Sequence, residues 1–207
     1  MDESSRKSYV VPMPPGPARR RATYNDLRAV PDTLIAEIVD GELITSPRPA
    51  VPHAHTSSAL GIDVGGPFQR GRGGPGGWWI LDEPELHLGA DVLVPDLAGW
   101  RREKMPALPD EPFMSVAPDW VCEVLSPSTA SLDRIRKLHI YAASRVSHAW
   151  LVDPAAQTLE IFRHHETAWL LVAVHGGDEK VHAEPFDAVE IDLAGLWLAP
   201  RSAPARE

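Results

Sequence analysis

Residues 118–154 read PDWVCEVLSPSTASLDRIRKLHIYAASRVSHAWLVDP. DWVCEVL (119–125) is an apolar run of strand length, and SHAWLVD (147–153) is another. Between them, SPSTAS (126–131) predicts a turn whose hydroxyl residues can cap a helix N-terminus, and that helix is expected over about Leu132 to Ala143. A strand–turn–helix unit of this kind can fold the helix back beside its strand.

Upstream, Thr23 and Asp26 match a capping signature and predict a short helix. LIAEIVDGELIT (34–45) alternates around Asp40-Gly41, a strong hairpin signal because a type I′ turn needs positive φ at both central residues. Partial helical periodicity follows from about Ala54 to Gln69. GRGGPGG (71–77) predicts a glycine-rich connector; without a following Gly-Lys-Ser/Thr it is not a phosphate-cradling loop. WWILDEPELHL (78–88) and DVLVPDLAGW (91–100) each read as one strand, and a polar, proline-rich loop spans about 101–117. Downstream of the opening stretch come the strands TLEIFR, AWLLVAV and AVEIDL. The order helix, hairpin, helix, strands, helix, strands predicts an α/β or α+β domain with a mixed sheet flanked by helices. Residues 1–21, rich in proline and charge, read as a disordered tail; 22–199 read as a single domain and 200–207 as a frayed end.

Hydrophobic residues make up 43% of the 207 residues and charged residues 24%, as in ordinary soluble domains. No apolar run reaches membrane-spanning length, and MDESSRKSYVV lacks the layout of a secretory signal; a cytoplasmic location is expected. The single cysteine, Cys122, excludes an intramolecular disulfide and a cysteine-rich zinc site, and its apolar setting reads as a small buried hydrophobe. The net charge of −9 argues against avid, sequence-independent binding to nucleic acid over the whole surface. Any such contact needs a local basic patch or divalent cations.

Two carboxylates stand in apolar surroundings. Read as one strand, DVLVPDLAGW places Val92, Val94, Asp96 and Ala98 on one face, and DWVCEVL places Glu123 between Val121 and Leu125. An ionised carboxylate there costs several kcal/mol unless it is paired or holds a metal. Two of them on neighbouring strands repel each other, and a divalent cation between them removes the conflict. Asp133, Lys137 and Tyr141 share a helix face by their spacing, and the lysine's long stem could bring its ammonium near Glu123. From position alone, Asp96 is either a site acid or a strand-end turn carboxylate, since Pro-Asp occurs at Pro31, Pro95, Pro109 and Pro118. Lys137 is either a site cation or a solvated lysine paired with Asp133.

AEIVDGELI, His55 ahead of a helix, VLVPDLAGW, the 118–154 segment and TLEIFR together resemble the Uma2 (DUF820) family of restriction-endonuclease-like proteins, which is itself similar to the PD-(D/E)xK nuclease superfamily. The likeness covers about four fifths of the chain. It implies a restriction-endonuclease-like core and a metal-dependent endonuclease acting on DNA phosphodiesters. By resemblance, Asp96 matches the Asp of the Pro-Asp motif, Glu123 the second acid and Lys137 the lysine. Mg²⁺ or Mn²⁺ would be held by Asp96, Glu123 and the Val124 carbonyl, with Glu42 or Glu37 as a further ligand. His55 matches a family histidine that would line the site or bind phosphate; by position, Arg134 and Arg136 are either substrate-phosphate contacts or solvated surface residues. The superfamily pattern wants a lysine two residues after the second acid, where this chain has Leu125. A homodimer is expected, because duplex cleavage by a single-site enzyme often uses two-fold symmetry. The competing readings are a nuclease-fold DNA-binding or interaction module without catalysis, and a metal-dependent hydrolase of smaller phosphoesters. His53 and His55 lack a third metal ligand in view, and the seven tryptophans read as packing residues.

Overall fold

The computed structural model describes residues 20–198. Of the predicted terminal tails, only Arg20 and Arg21 fall among them, and Arg20 chelates the Asp26 carboxylate at 2.7 and 3.0 Å. Asp26 closes the expected capping box: its carboxylate accepts the Thr23 N–H at 2.7 Å and opens α1 (Tyr24–Arg28),. β1 (Leu34–Val39) and β2 (Glu42–Pro47) pair antiparallel across Asp40 (φ +53°) and Gly41 (φ +80°), the hairpin that Asp-Gly predicts,. α2 (Val51–Val64) starts earlier than expected and runs into a π-helical stretch, Gly65–Gln69.

The next two runs differ from their single-strand reading. WWILDEPELHL is split into β3 (Trp78–Asp82) and β4 (Leu86–Leu88), and DVLVPDLAGW into β5 (Asp91–Leu93) and β6 (Leu97–Arg101). Each break contains a proline, Pro84 or Pro95, which has no N–H for a ladder. At each break the chain changes sheet. β4 and β5 join the hairpin in a four-stranded antiparallel sheet of order β2-β1-β5-β4, while β3 and β6 enter a six-stranded sheet. Val92 and Ala98 therefore do not share a face, and Asp96 sits in the bend between the two sheets.

The large sheet is completed by β7 (Trp120–Val124), then, after the helix that ends in α3 (Leu138–Ala143), by β8 (His148–Asp153), β9 (Thr158–His165) and β10 (Ala168–Gly176), in the order β10-β9-β8-β7-β6-β3. β7 and β8 are parallel and the other neighbours antiparallel, so the sheet is mixed, as expected. β11 (Lys180–Val181) and β12 (Ile191–Asp192) form a small separate ribbon. Among the described residues no helix is long and apolar enough to cross a membrane.

Alternation along β7 sorts its side chains between two cores. Cys122 and Val124 face α2, where they pack with Leu60, Val64, Trp150 and Phe186. Val121 and Leu125 face α3 and the small sheet, among Val39, Leu93, Leu138, Tyr141 and Leu151. Each fully buried aliphatic side chain contributes about 1.5–3 kcal/mol of transfer free energy. The tryptophans behave as packing residues: Trp78, Trp100, Trp120 and Trp150 are buried, Trp120 and Trp150 meet edge to face at 5.2 Å, and Trp150 donates to the Glu184 carbonyl at 2.7 Å. Cys122 is fully enclosed, and burial pushes its thiol well above the ordinary range. Glu123 lies on the same face as Val121 and Leu125, so its carboxylate points into the seam where the two sheets and the α3 helix meet.

Candidate active site

Three elements deliver carboxylates to that seam. β7 supplies Glu123; β1 supplies Glu37, whose Oε1 accepts the Val94 N–H at 2.8 Å; the bend before β6 supplies Asp96, whose Oδ2 accepts the Val124 N–H at 2.7 Å. That last bond ties Asp96 to the residue beside Glu123. A fourth acid, Asp133, comes from the helix and is also buried. This helix opens with α-helical residues at Ala130 and Ser131, is π-helical over Leu132–Lys137 and returns to α-helix from Leu138. Asp133, Lys137 and Tyr141 nevertheless share its inward face, as their spacing predicts.

Lys137 is 3% exposed. Its Nζ lies 2.8 Å from Glu123 Oε1, 3.0 Å from Glu37 Oε1 and 3.6 Å from Asp133 Oδ1. Burial lowers an ammonium's pKa, but here the charges of Glu123 and Glu37 outweigh it and hold Lys137 well above the lysine range,. Lys137 is therefore charged at neutral pH. Tyr141, also buried, donates its hydroxyl to Glu123 Oε1 at 2.6 Å. Burial raises the Glu123 carboxyl well above its usual range against the opposing pull of Lys137. Asp133 is raised by burial in the same way. Leu125, where the superfamily lysine would stand, is buried in the α3-side core; the ammonium reaches Glu123 from the helix instead.

Glu37, Asp96, Glu123, Asp133 and Lys137 line one cavity of about 250 Å³, together with Arg48, His53, Ser126, Ser128 and Thr129. His53 Nε2 is 3.3 Å from Asp96 Oδ1. Burial lowers the imidazole pKa, but the hydrogen bond and charge of Asp96, with the Val124 carbonyl, raise it above the ordinary value. His53 Nδ1 is buried without a hydrogen-bond partner. Four carboxylates thus share the lining with one ammonium, one imidazole and one guanidinium. Among the described residues no three His, Cys, Asp or Glu side chains form a ready metal-binding group: the Lys137 ammonium stands between Glu37 and Glu123, and Asp96 is turned onto the Val124 N–H and His53.

Asp96, Glu123 and Lys137 therefore converge, with the Val124 backbone between the two acids. Four other expected site residues do not join them. Glu42 lies at the hairpin end, where Arg136 donates to it at 2.9 Å, and Glu37 is the hairpin acid that enters the cavity. His55 lies outside the cavity lining and His53 inside it; residues two apart on a helix are about 200° apart around its axis, so one face cannot hold both. Arg134 is clamped by Glu160 at 2.7 Å through both of its terminal nitrogens. Arg136 donates to Asp40, Glu42 and the Val39 carbonyl. Neither arginine reaches the cavity, where Arg48 is found. Arg48 had no signal in the sequence beyond its charge, whereas Asp133 and Tyr141 were visible in the helical spacing.

The family profile Uma2, described as "Putative restriction endonuclease", matches residues 21–194. The chain belongs to the Uma2 family. Among solved structures, the Uma2 chain is similar to one described as a "putative nuclease belonging to DUF820" from Anabaena variabilis ATCC 29413, with a TM-score of 0.69 over 84% of this chain and 97% of that one, at 20% identity. At that identity the likeness shows a shared fold, the mixed sheet with flanking helices described above. No curated protein matches this Uma2 chain.

Proposed function

We propose that this chain is a metal-dependent endonuclease that hydrolyses DNA phosphodiester bonds in the cavity holding Asp96, Glu123 and Lys137. The observation that carries the reading is the Asp96–Val124 hydrogen bond beside the Lys137–Glu123 ion pair. It joins two acids from different elements and one buried ammonium in a single opening, and packing alone gives no reason for that expense.

The donor set suits a hard divalent cation. Asp96, Glu123 and the Val124 carbonyl offer only oxygen, the preference of Mg²⁺ and Mn²⁺, and the carboxylates outnumber the cations around them. A bound Mg²⁺ or Mn²⁺ supplies Lewis acidity and lowers the pKa of a coordinated water. The chain's own groups do the rest. Asp96 is oriented by the Val124 N–H. Glu123 is oriented by Tyr141 and Lys137, which converge on Oε1. Lys137, being protonated, acts by charge and not as a general base. Two cavities, one from each member of a two-fold homodimer, would cut both strands of a duplex; a monomeric mass at equilibrium during duplex cutting would reject that arrangement.

Supercoiled plasmid incubated with Mg²⁺ or Mn²⁺ tests the reading. The wild-type chain is expected to nick it, and Asp96→Asn, Glu123→Gln and Lys137→Met each to lose about 10²-fold or more. Undiminished nicking by all three variants overturns the site. One observation favours a second reading, a nuclease-fold module that binds DNA without cutting it: Lys137 already neutralises Glu123 and Glu37 directly. Retention of DNA with no nicking at any Mn²⁺ concentration would decide for it.

A further inference from the structure

The cavity is hostile to the substrate proposed for it. A phosphodiester approaching the cavity meets a lining in which the carboxylates of Glu37, Asp96, Glu123 and Asp133 outnumber the basic groups, and at contact distance repulsion from those that are ionised is large even after screening. The cation deepest in the site cannot relieve it, because Lys137 is enclosed by three of those acids. Beside a divalent cation held by Asp96 and Glu123, a basic side chain at the mouth would favour entry of the phosphate.

We infer that Arg48 is the substrate-phosphate contact of this site, so that the ligand at the cavity mouth is a backbone phosphate of the nucleic acid; the inference rests on the endonuclease reading. Among the described residues lining the cavity, the basic ones are Lys137, His53 and Arg48. His53 is turned inward onto Asp96. Arg48 is 55% exposed, and its closest carboxylate, Glu83, stands 3.7 Å from Nη1. Its Nη2 donates to the Asp32 carbonyl at 2.8 Å, which fixes the guanidinium plane without neutralising it. Arg134 and Arg136 differ: each is held by carboxylates at 2.7–2.9 Å. A planar fork anchored at Nη2, with Glu83 at the long distance of 3.7 Å from Nη1 and Nε without a hydrogen bond among the described residues, keeps donors for phosphate oxygens,. The same lining carries a cluster of hydroxyls, Ser126 Oγ lying 2.9 Å from Ser128 Oγ and 3.0 Å from Thr129 Oγ1.

The test is binding of a fluorescein-labelled DNA duplex by the full chain, followed by anisotropy with Ca²⁺ in place of Mg²⁺ across a salt series, alongside Mn²⁺-dependent plasmid nicking. Arg48→Ala is expected to bind about 10-fold more weakly, with the slope of log K against log salt shallower by about one. Nicking at DNA concentrations below saturation should fall by a similar factor. Arg48→Lys should keep the slope and recover part of the affinity. Arg134→Ala should bind as wild type does. Wild-type affinity and slope in a folded Arg48→Ala overturn the inference and leave the endonuclease reading standing. A wild-type chain that neither retains nor nicks DNA overturns both.

Discussion

Lys137 shows what a single side chain must do here. It neutralises part of a buried cluster that burial and mutual repulsion make costly to ionise. Lys137→Met removes the ammonium and leaves Glu37, Glu123 and Asp133 without it. Breaking a buried ion pair from one side costs about 3–5 kcal/mol, and urea denaturation at pH 7.5 should show a loss of that size. A loss below about 1 kcal/mol would mean that the carboxylates are already protonated and need no partner. Tyr141→Phe is gentler: it deletes one hydroxyl donor to Glu123 in a fully enclosed position. The expected cost is about 1.5–3 kcal/mol, the range for a hydrogen bond to a charged acceptor, with nicking reduced alongside. Unchanged stability and unchanged nicking would separate Tyr141 from the site.

At the scale of elements, the β1–β2 hairpin is the part that presents Glu37. Its register pairs Glu37 with Ile44 and Val39 with Glu42, so the two strands hold the acid at a fixed depth. Gly41 has φ +80°, and a Cβ there would stand 3.1 Å from Arg21 Cγ. Gly41→Ala therefore meets both left-handed backbone strain and crowding. It should cost about 1–2 kcal/mol, read as a fall in thermal midpoint of roughly 2–8 °C at this chain length. An unshifted midpoint would show that the turn relaxes freely. Pro118-Asp119 illustrates the opposite case, a Pro-Asp whose acid is structural: Asp119 is buried, accepts the Arg101 N–H at 2.9 Å and pairs with Lys104.

For the whole molecule, the cluster couples stability to pH and to cations. Glu123 and Asp133 have folded pKa values raised above their ordinary ones. The folded state then binds more protons than the unfolded state. Stability is full below the unfolded carboxylate values, about 4, and is lost as pH climbs toward the raised folded values. A divalent cation competes for the same oxygens, so its stabilising effect should grow over that window as protons leave. Thermal unfolding with and without Mn²⁺ at pH 5, 6.5 and 8 checks this. The upward shift in midpoint caused by Mn²⁺ should be larger at pH 8 than at pH 5. Equal shifts at both values would place the cation away from these carboxylates.

The sequence by itself determined the local elements and the inner three residues. Asp40-Gly41 dictates its turn through φ alone, strand alternation puts Glu123 between Val121 and Leu125, and helical spacing aligns Lys137 with Asp133 and Tyr141. The family resemblance singled out Asp96. Those readings need only neighbouring residues. Tertiary structure decided the rest. It broke two apparent strands at Pro84 and Pro95 and sent their halves to different sheets, chose Glu37 over Glu42 and His53 over His55, and set Arg48 at the mouth while Arg134 and Arg136 were consumed by ion pairs. These choices depend on which distant elements pack together. The energies that select that packing come from the burial of both faces of the large sheet, which no short window of sequence contains.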